Sequence, residues 1–210
     1  MRVLVWDVPL RLFHWLLAAA VITAVVTAKV GGNAMDWHMR CGYFVFALLG
    51  WRLLWGFAGP WWSRFRSWPF WGRADVASTI QALGHSTSGA WASLALLTLV
   101  CGQVLTGLMA DDEIATAGPW AGRVSASVSE GATAFHQGLG QWAILGMVAL
   151  HVCAIIFYRL ARQQALLPPM LHGYKTVNGE LDDMPAVTSR WWRAGFCAVI
   201  SCACVWWWIQ

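Results

Sequence analysis

From His136 to Tyr158 the chain reads HQGLGQWAILGMVALHVCAIIFY, with no aspartate, glutamate, lysine or arginine. A helix that crosses a bilayer needs about 20 predominantly apolar residues, and this stretch supplies them. It also carries a histidine near each end, 15 positions apart. On an α-helix that separation is roughly 22 Å of rise, with the two side chains about 60° apart around the axis. Ionisable side chains are expensive inside a membrane and mark functional positions there. Two of them, at opposite depths of one apolar helix, point to two stacked sites across the bilayer.

The rest of the chain repeats the pattern. Its 210 residues are 59% hydrophobic and 11% charged, against a charged share of about 25% in soluble domains, so a water-soluble fold is excluded. Residues 12–30 form a first apolar run, interrupted near its start by Arg11 and His14. It therefore reads as a retained helix rather than a cleaved leader. Gly31-Gly32-Asn33 marks a turn. A second run covers about 38–55 and closes at Gly56-Phe57-Ala58-Gly59-Pro60, and a third covers 89–110. Residues 75–83 suggest a short surface helix, and 111–134 an acidic, Gly/Ser-rich connection to the fourth run. A polar tract, 159–190, contains Pro168-Pro169 as a helix stop, and a fifth run occupies 191–209.

The expected fold is an all-α integral membrane protein: a four-helix transmembrane bundle over residues 1–165, a polar segment over 166–190, and an additional C-terminal transmembrane helix over 191–210. Of 17 tryptophans many sit where runs end, including Trp15, Trp37, Trp61, Trp62, Trp191, Trp192 and Trp206 to Trp208. Amphipathic rings collect at membrane–water boundaries.

Basic residues of the short loops set orientation. With the N-terminus in the cytoplasm, that side holds Arg2, Arg11, Arg64, Arg66, Arg73, Arg159, Arg162, Lys175, Arg190 and Arg193, and the other only Lys29, Arg40 and Arg123. The N-terminus is then cytoplasmic and the C-terminus, after five spans, periplasmic. The basic residues are scattered, so the net charge of +4 does not indicate nucleic acid. The six cysteines mostly lie in apolar runs, where the thiol acts as a small hydrophobe. No C-x-x-C-H occurs, which excludes covalent c-type haem attachment. Cys202-Ala203-Cys204 reads as helix interior rather than a redox or metal motif.

This topology gives every histidine a depth. His14 and His151 fall near the cytoplasmic ends of their helices, His38 and His136 near the outer ends. The result is two level pairs, His14 with His151 and His38 with His136. A b-type haem iron takes one axial nitrogen from each of two facing histidines, and bundle interiors host cofactors in that way. Zinc is the other metal reading, but two histidines per level leave a tetrahedral site half filled. Gly42, Gly138, Gly140, Gly146 and Ala149 would let a flat ring approach the backbone, or serve only close helix packing. Arg52, about 21 Å of helical rise from His38, would lie near a cytoplasmic-side haem. It either pairs with a haem propionate or snorkels to the interface. His85 and His172 read as solvated or loop-capping rather than as ligands.

The stretches WDVPLRLFHW (6–15), WHMRCGYFVFALLGWRLLWGFAGP (37–60), GHSTSGAWASLALL (84–97), LTGLMADDEIATAGP (105–119) and FHQGLGQWAILGMVALHV (135–152) together resemble the prokaryotic cytochrome b561 family. These are di-haem membrane subunits related to the cytochrome b subunit of nickel–iron hydrogenase. PPMLHGYKTV (168–177) is similar more loosely. The resemblance implies a four-helix core with two non-covalent haem b groups, ligated by His14, His38, His136 and His151. It implies electron transfer across the bacterial inner membrane between the quinone pool and a periplasmic partner, such as a c-type cytochrome or a hydrogenase subunit. Quinone would be an exchangeable substrate, no separate catalytic residue is assigned, and an oligomer is compatible. The alternative is a quinone-coupled haem enzyme acting on superoxide or another small molecule, which Arg40 and Arg123 could attract. Asp111-Asp112-Glu113 could steer a basic partner or be a plain solvated loop.

Overall fold

Asp7 adopts extended backbone (φ −67°, ψ 155°) and Pro9 sits in the first turn that follows, where a missing N–H costs nothing. The first helix, α1 (Val8–Val30), therefore starts ahead of the apolar run that announced it. The computed structural model describes residues 2–71, 83–176 and 191–210. At the far end of α1, Gly31 and Gly32 both take positive φ (68° and 54°), a region open to glycine because it lacks a Cβ. The chain reverses there into α2 (Met35–Ala58). Helix α3 (Thr87–Met109) is capped by Ser86, whose Oγ accepts the Gly89 N–H at 3.1 Å and so satisfies one of the orphan donors of a helix start. The short helix expected over 75–83 lies outside the described residues except for Leu83.

The fourth helix, α4 (Ala126–Ala161), corrects the sequence reading at its beginning. Residues 126–134 are helical, not part of a connection. Two of their hydroxyls bond the backbone at and just after the end of α3: Ser129 Oγ donates to the Met109 carbonyl at 2.8 Å, and Thr133 Oγ1 accepts from Asp111 N at 2.9 Å. At Phe135–Leu139 the helix widens into one π-turn, with Gly138 off helical geometry at φ −102°, ψ −106°. Pro168 and Pro169 also need correcting. Helix α4 has already ended, and the prolines open a new short helix, α5 (Leu167–His172), from its first turn. Gly173 ends α5 in the left-handed region (φ 91°), and its carbonyl accepts the N–H groups of Val5 and Trp6 at 2.9 and 3.1 Å. Strand β1 (Arg2–Leu4) then pairs antiparallel with β2 (Tyr174–Thr176), Val3 opposite Lys175. Arg11 donates to the Leu171 carbonyl and Trp15 Nε1 to that of Met170. One end of the bundle, called here the N-side, is thus stitched together by segments distant in sequence.

Among the described residues five helices are long and apolar enough to cross a membrane, the last being α6 (Trp191–Ile209). The protein is a multi-pass membrane protein of all-α class. Large apolar side chains such as Ile22, Leu53, Trp142, Leu150 and Phe196 are exposed, on surface that lipid would cover. Helix α1 packs on α2 and α3 on α4, while α6 lies along α2. There Trp51 Nε1 donates to the Ala194 carbonyl at 3.1 Å and Ser201 Oγ to that of Ala47 at 2.6 Å. Gly50 permits this approach, because a Cβ on it would run into Ser201 Oγ. The tryptophans divide by depth. Trp15, Trp37, Trp191, Trp192 and Trp206 to Trp208 are exposed, whereas Trp62, expected in an interfacial belt, is buried in an N-side core with Trp6, Trp51 and Trp55.

Candidate functional site

Four helix positions bring four imidazoles together in two pairs. His14 on α1 faces His151 on α4, their ring centres 6.4 Å apart and planes inclined at 51°. His38 on α2 faces His136 in the π-turn, with centres 5.8 Å apart and planes at 83°. The first pair lies toward the N-side, the second toward the far side. An iron bonded to two imidazole nitrogens at roughly 2 Å each sets the ring centres about 6 Å apart, so both spacings fit a metal held between two rings. Among the described residues no group of three or more His, Cys, Asp or Glu side chains converges as a metal site, so no tetrahedral zinc set forms around either pair. A methyl added at Gly42, Gly138 or Gly146 would meet no atom within 4 Å, so these glycines border open space. Gly140 differs: a Cβ there would collide with the Gln103 side chain and Phe135, which makes it a packing glycine.

The two pairs are held differently. His38 Nδ1 lies 2.9 Å from the Ala24 carbonyl oxygen, and His136 Nδ1 lies 2.8 Å from that of Gln103. Carbonyl oxygens only accept, so each of these nitrogens carries the proton and Nε2 is left as the basic nitrogen. Metal-ligating histidines characteristically make this second bond, which fixes the ring and raises its basicity. Among the described residues His14 Nδ1 is buried with no partner, and Trp15 lies beside the ring at 5.0 Å edge to face. His151 is exposed on α4.

Toward the N-side the structure gathers a second set of buried polar groups. Asp7 is fully buried and accepts hydrogen bonds from Trp55 Nε1 at 3.1 Å and from Ser63 Oγ. Burial raises its carboxyl above the ordinary value, opposed by these two hydrogen bonds and the Arg52 charge. Arg52 is only 4% exposed, so its guanidinium does not reach water. It lies 4.5 Å from the Phe65 ring centre and 6.0 Å from that of Trp68. Among the described residues its Nη1 has no partner, and neither do the indole nitrogens of Trp62 and Trp68. His85, expected to be solvated or loop-capping, is instead packed against Trp6 at 4.7 Å and Trp68 at 5.5 Å. Burial, then the charges of Arg52 and Lys175, push its pKa down to about 4. His172 caps its loop, its Nδ1 accepting from Tyr174 N at 3.1 Å.

On the far side the charged groups do not converge. Arg40 lies 5.3 Å from the Trp37 ring, and Arg123 reaches the Trp208 carbonyl at 3.4 Å. Asp111 and Asp112 shape their own loop: Asp112 Oδ1 accepts the backbone N–H groups of Ile114, Ala115 and Thr116, which lowers its pKa. Sequence reasoning singled out neither Gln103 nor Asp7. The signals were a lone amide inside an otherwise apolar run and a carboxylate just ahead of a helix-opening proline.

A model of the family described as prokaryotic cytochrome b561 matches residues 5–173, a span that includes all four paired histidines. A curated relative from Cupriavidus necator, described as a probable Ni/Fe-hydrogenase B-type cytochrome subunit, is 27% identical over 212 residues, covering 82% of this chain and 86% of its own length. No solved structure matches the chain.

Proposed function

The chain belongs to the prokaryotic cytochrome b561 family, and from that premise we propose that it is a di-haem cytochrome b passing electrons across the bacterial inner membrane. Membership carries the coarser part: a membrane electron-transfer protein of a family that uses haem b. The finer part is that His14 with His151, and His38 with His136, each hold one non-covalent b haem. Quinone exchanges electrons at one level and a periplasmic redox protein at the other. The supporting observation is the pairing itself, two sets of facing imidazoles with ring centres at 6.4 and 5.8 Å. A haem so held supplies one-electron chemistry whose potential follows from axial ligation, burial and hydrogen bonding.

The protein's own groups do the rest. The Ala24 and Gln103 carbonyls orient the far-side rings. Arg52, buried with a free Nη1 donor, is assigned to a carboxylate of the N-side group, since a buried donor left unpaired costs about 1–3 kcal/mol. Residues 1–165 form the cofactor core with the N-terminus in the cytoplasm, 166–190 a cytoplasmic segment, and 191–210 a helix laid against α2 that ends in the periplasm. The relative's printed name favours a hydrogenase subunit as the partner over a c-type cytochrome. The test is haem stoichiometry. The purified full-length protein should carry two b haems per chain and show two reduction waves; a preparation saturated at one haem, or at none, rejects the reading.

A further inference from the structure

Gln103 is the point at which α3 grips the π-turn of α4. Its side-chain Nε2 donates to the His136 carbonyl at 2.7 Å, and its backbone carbonyl accepts from His136 Nδ1 at 2.8 Å. One residue therefore holds both the backbone and the ring of a single histidine. Gly107 lies one turn further along the same face of α3, and a Cβ there would come 2.6 Å from His136 Cε1. Gly140 completes the fit by leaving room for the Gln103 amide. The arrangement has a cost. Among the described residues Gln103 Oε1 is buried without a partner, a penalty of about 1–3 kcal/mol that a leucine in this apolar helix would not incur.

We propose that Gln103 is a positioning residue that sets the electron affinity of the far-side site, by pinning the π-turn so that the His136 ring stays on its carbonyl acceptor. The inference rests on the bis-histidine reading above. An imidazole whose N–H is held by a carbonyl is a more basic ligand. A more electron-rich ligand favours the oxidised metal and lowers its potential. Loss of the Gln103 amide leaves the His136 carbonyl unpaired, frees the turn to relax, and weakens the Nδ1 bond. The competing explanation is an ordinary interhelical hydrogen bond that only joins α3 to α4; that role predicts lower stability and unmoved potentials.

The experiment is a potentiometric titration of full-length wild type, Gln103→Met and Gly107→Ala in detergent, with low-spin ferric resonance spectra of each. In Gln103→Met both haems should be retained. The wave that His136→Ala abolishes should move upward by about tenfold in its redox equilibrium, ~59 mV for one electron, with a changed far-side ferric signal and the other wave in place. Gly107→Ala, whose methyl would push on the same ring from the next turn of α3, should disturb that same wave. If wild type shows two waves and Gln103→Met leaves both waves and both signals unmoved, Gln103 is only a packing residue and the proposal is wrong. Should Gln103→Met not fold, Gly107→Ala decides, and an unmoved far-side wave there overturns the proposal. A wild type without two waves sinks the di-haem reading instead, so the two failures are distinguishable.

Discussion

At the far-side level each imidazole is tied to a helix carbonyl, His38 to Ala24 at 2.9 Å and His136 to Gln103 at 2.8 Å. At the N-side level His14 Nδ1 is buried with no partner among the described residues, and order comes from a knot a turn or more away, where buried Asp7 joins α1 to Trp55 of α2 and to Ser63. One level is fixed by bonds to the rings themselves, the other by a brace on the helix that carries the ring. The far-side rings are therefore oriented by their own hydrogen bonds, whereas His14 Nδ1 makes none among the described residues. This difference gives the two levels different failure modes, and each can be broken separately.

The largest effect is loss of a ligand. His136→Ala and His14→Ala should each remove about half the pigment and one reduction wave, and the two lost waves should differ; haem content and potentiometry of the purified variants read this out. If either variant kept both waves, the two levels would not be two sites. Next comes the brace. Asp7→Ala strips the acceptor from Trp55 and Ser63, at a cost on the order of 3 kcal/mol for two bonds to a buried carboxylate. A lowered melting temperature should accompany broadening or displacement of the N-side wave alone. An equal disturbance of both waves would mean that the knot supports the whole bundle rather than one level. Smaller again is the native separation of the waves. The carbonyl bonds at His38 and His136 place the far-side potential below the N-side one by about tenfold in equilibrium, ~59 mV, assigned with the histidine variants. The reverse order would show that burial or a propionate partner outweighs the ring hydrogen bonds.

Much of this comparison was legible in the sequence and part of it was not, for one physical reason. Depth along a helix follows from rise per residue, so the level pairing of His14 with His151 and His38 with His136 could be read from spacing and loop charge before any contact was known. Hydrogen bonds between helices depend on rotation and local distortion, and these have no sequence period. The π-turn around Gly138 leaves no mark in the apolar pattern, and Gln103 acquires its role only because that turn presents the His136 carbonyl to it. The same holds elsewhere in the fold. Residues 126–134 looked like a loop because serine, threonine, glycine and glutamate break up their apolar residues, yet the backbone at and just after the end of α3 bonds the Ser129 and Thr133 hydroxyls. Trp62 looked interfacial because it flanks an apolar run, and His85 looked solvated or loop-capping, yet Trp62 is buried in one core with Trp6 and Trp55 and His85 packs against Trp6 and Trp68. Prolines 168 and 169 read as a stop, although the same ring geometry also suits a helix start.

Acid separates the two levels last, and with the smallest effect near neutral pH. Burial among Trp6 and Trp68, with Arg52 and Lys175 nearby, holds the folded pKa of His85 at about 4, against 6.5 for the free side chain. The folded protein thus binds fewer protons here than the unfolded chain. The stability tied to neutral His85 is complete above about pH 6.5 and is lost as pH falls from there toward 4. Asp7, the carboxylate facing the same cluster, works in the opposite sense: its raised pKa means that it takes up a proton on folding as pH falls, which eases rather than adds to the acid loss. Lys175, held below its usual value by burial, stays charged throughout this window and opposes a second positive charge. Acidification from pH 6.5 toward 4 should therefore loosen the N-side level first, seen as loss of its reduced absorbance while the far-side band persists. His85→Phe keeps an aromatic ring between Trp6 and Trp68 but cannot take a proton, so it should flatten that N-side loss. If His85→Phe titrates like wild type, or the far-side band goes first, the buried cluster is not what makes the N-side the softer level.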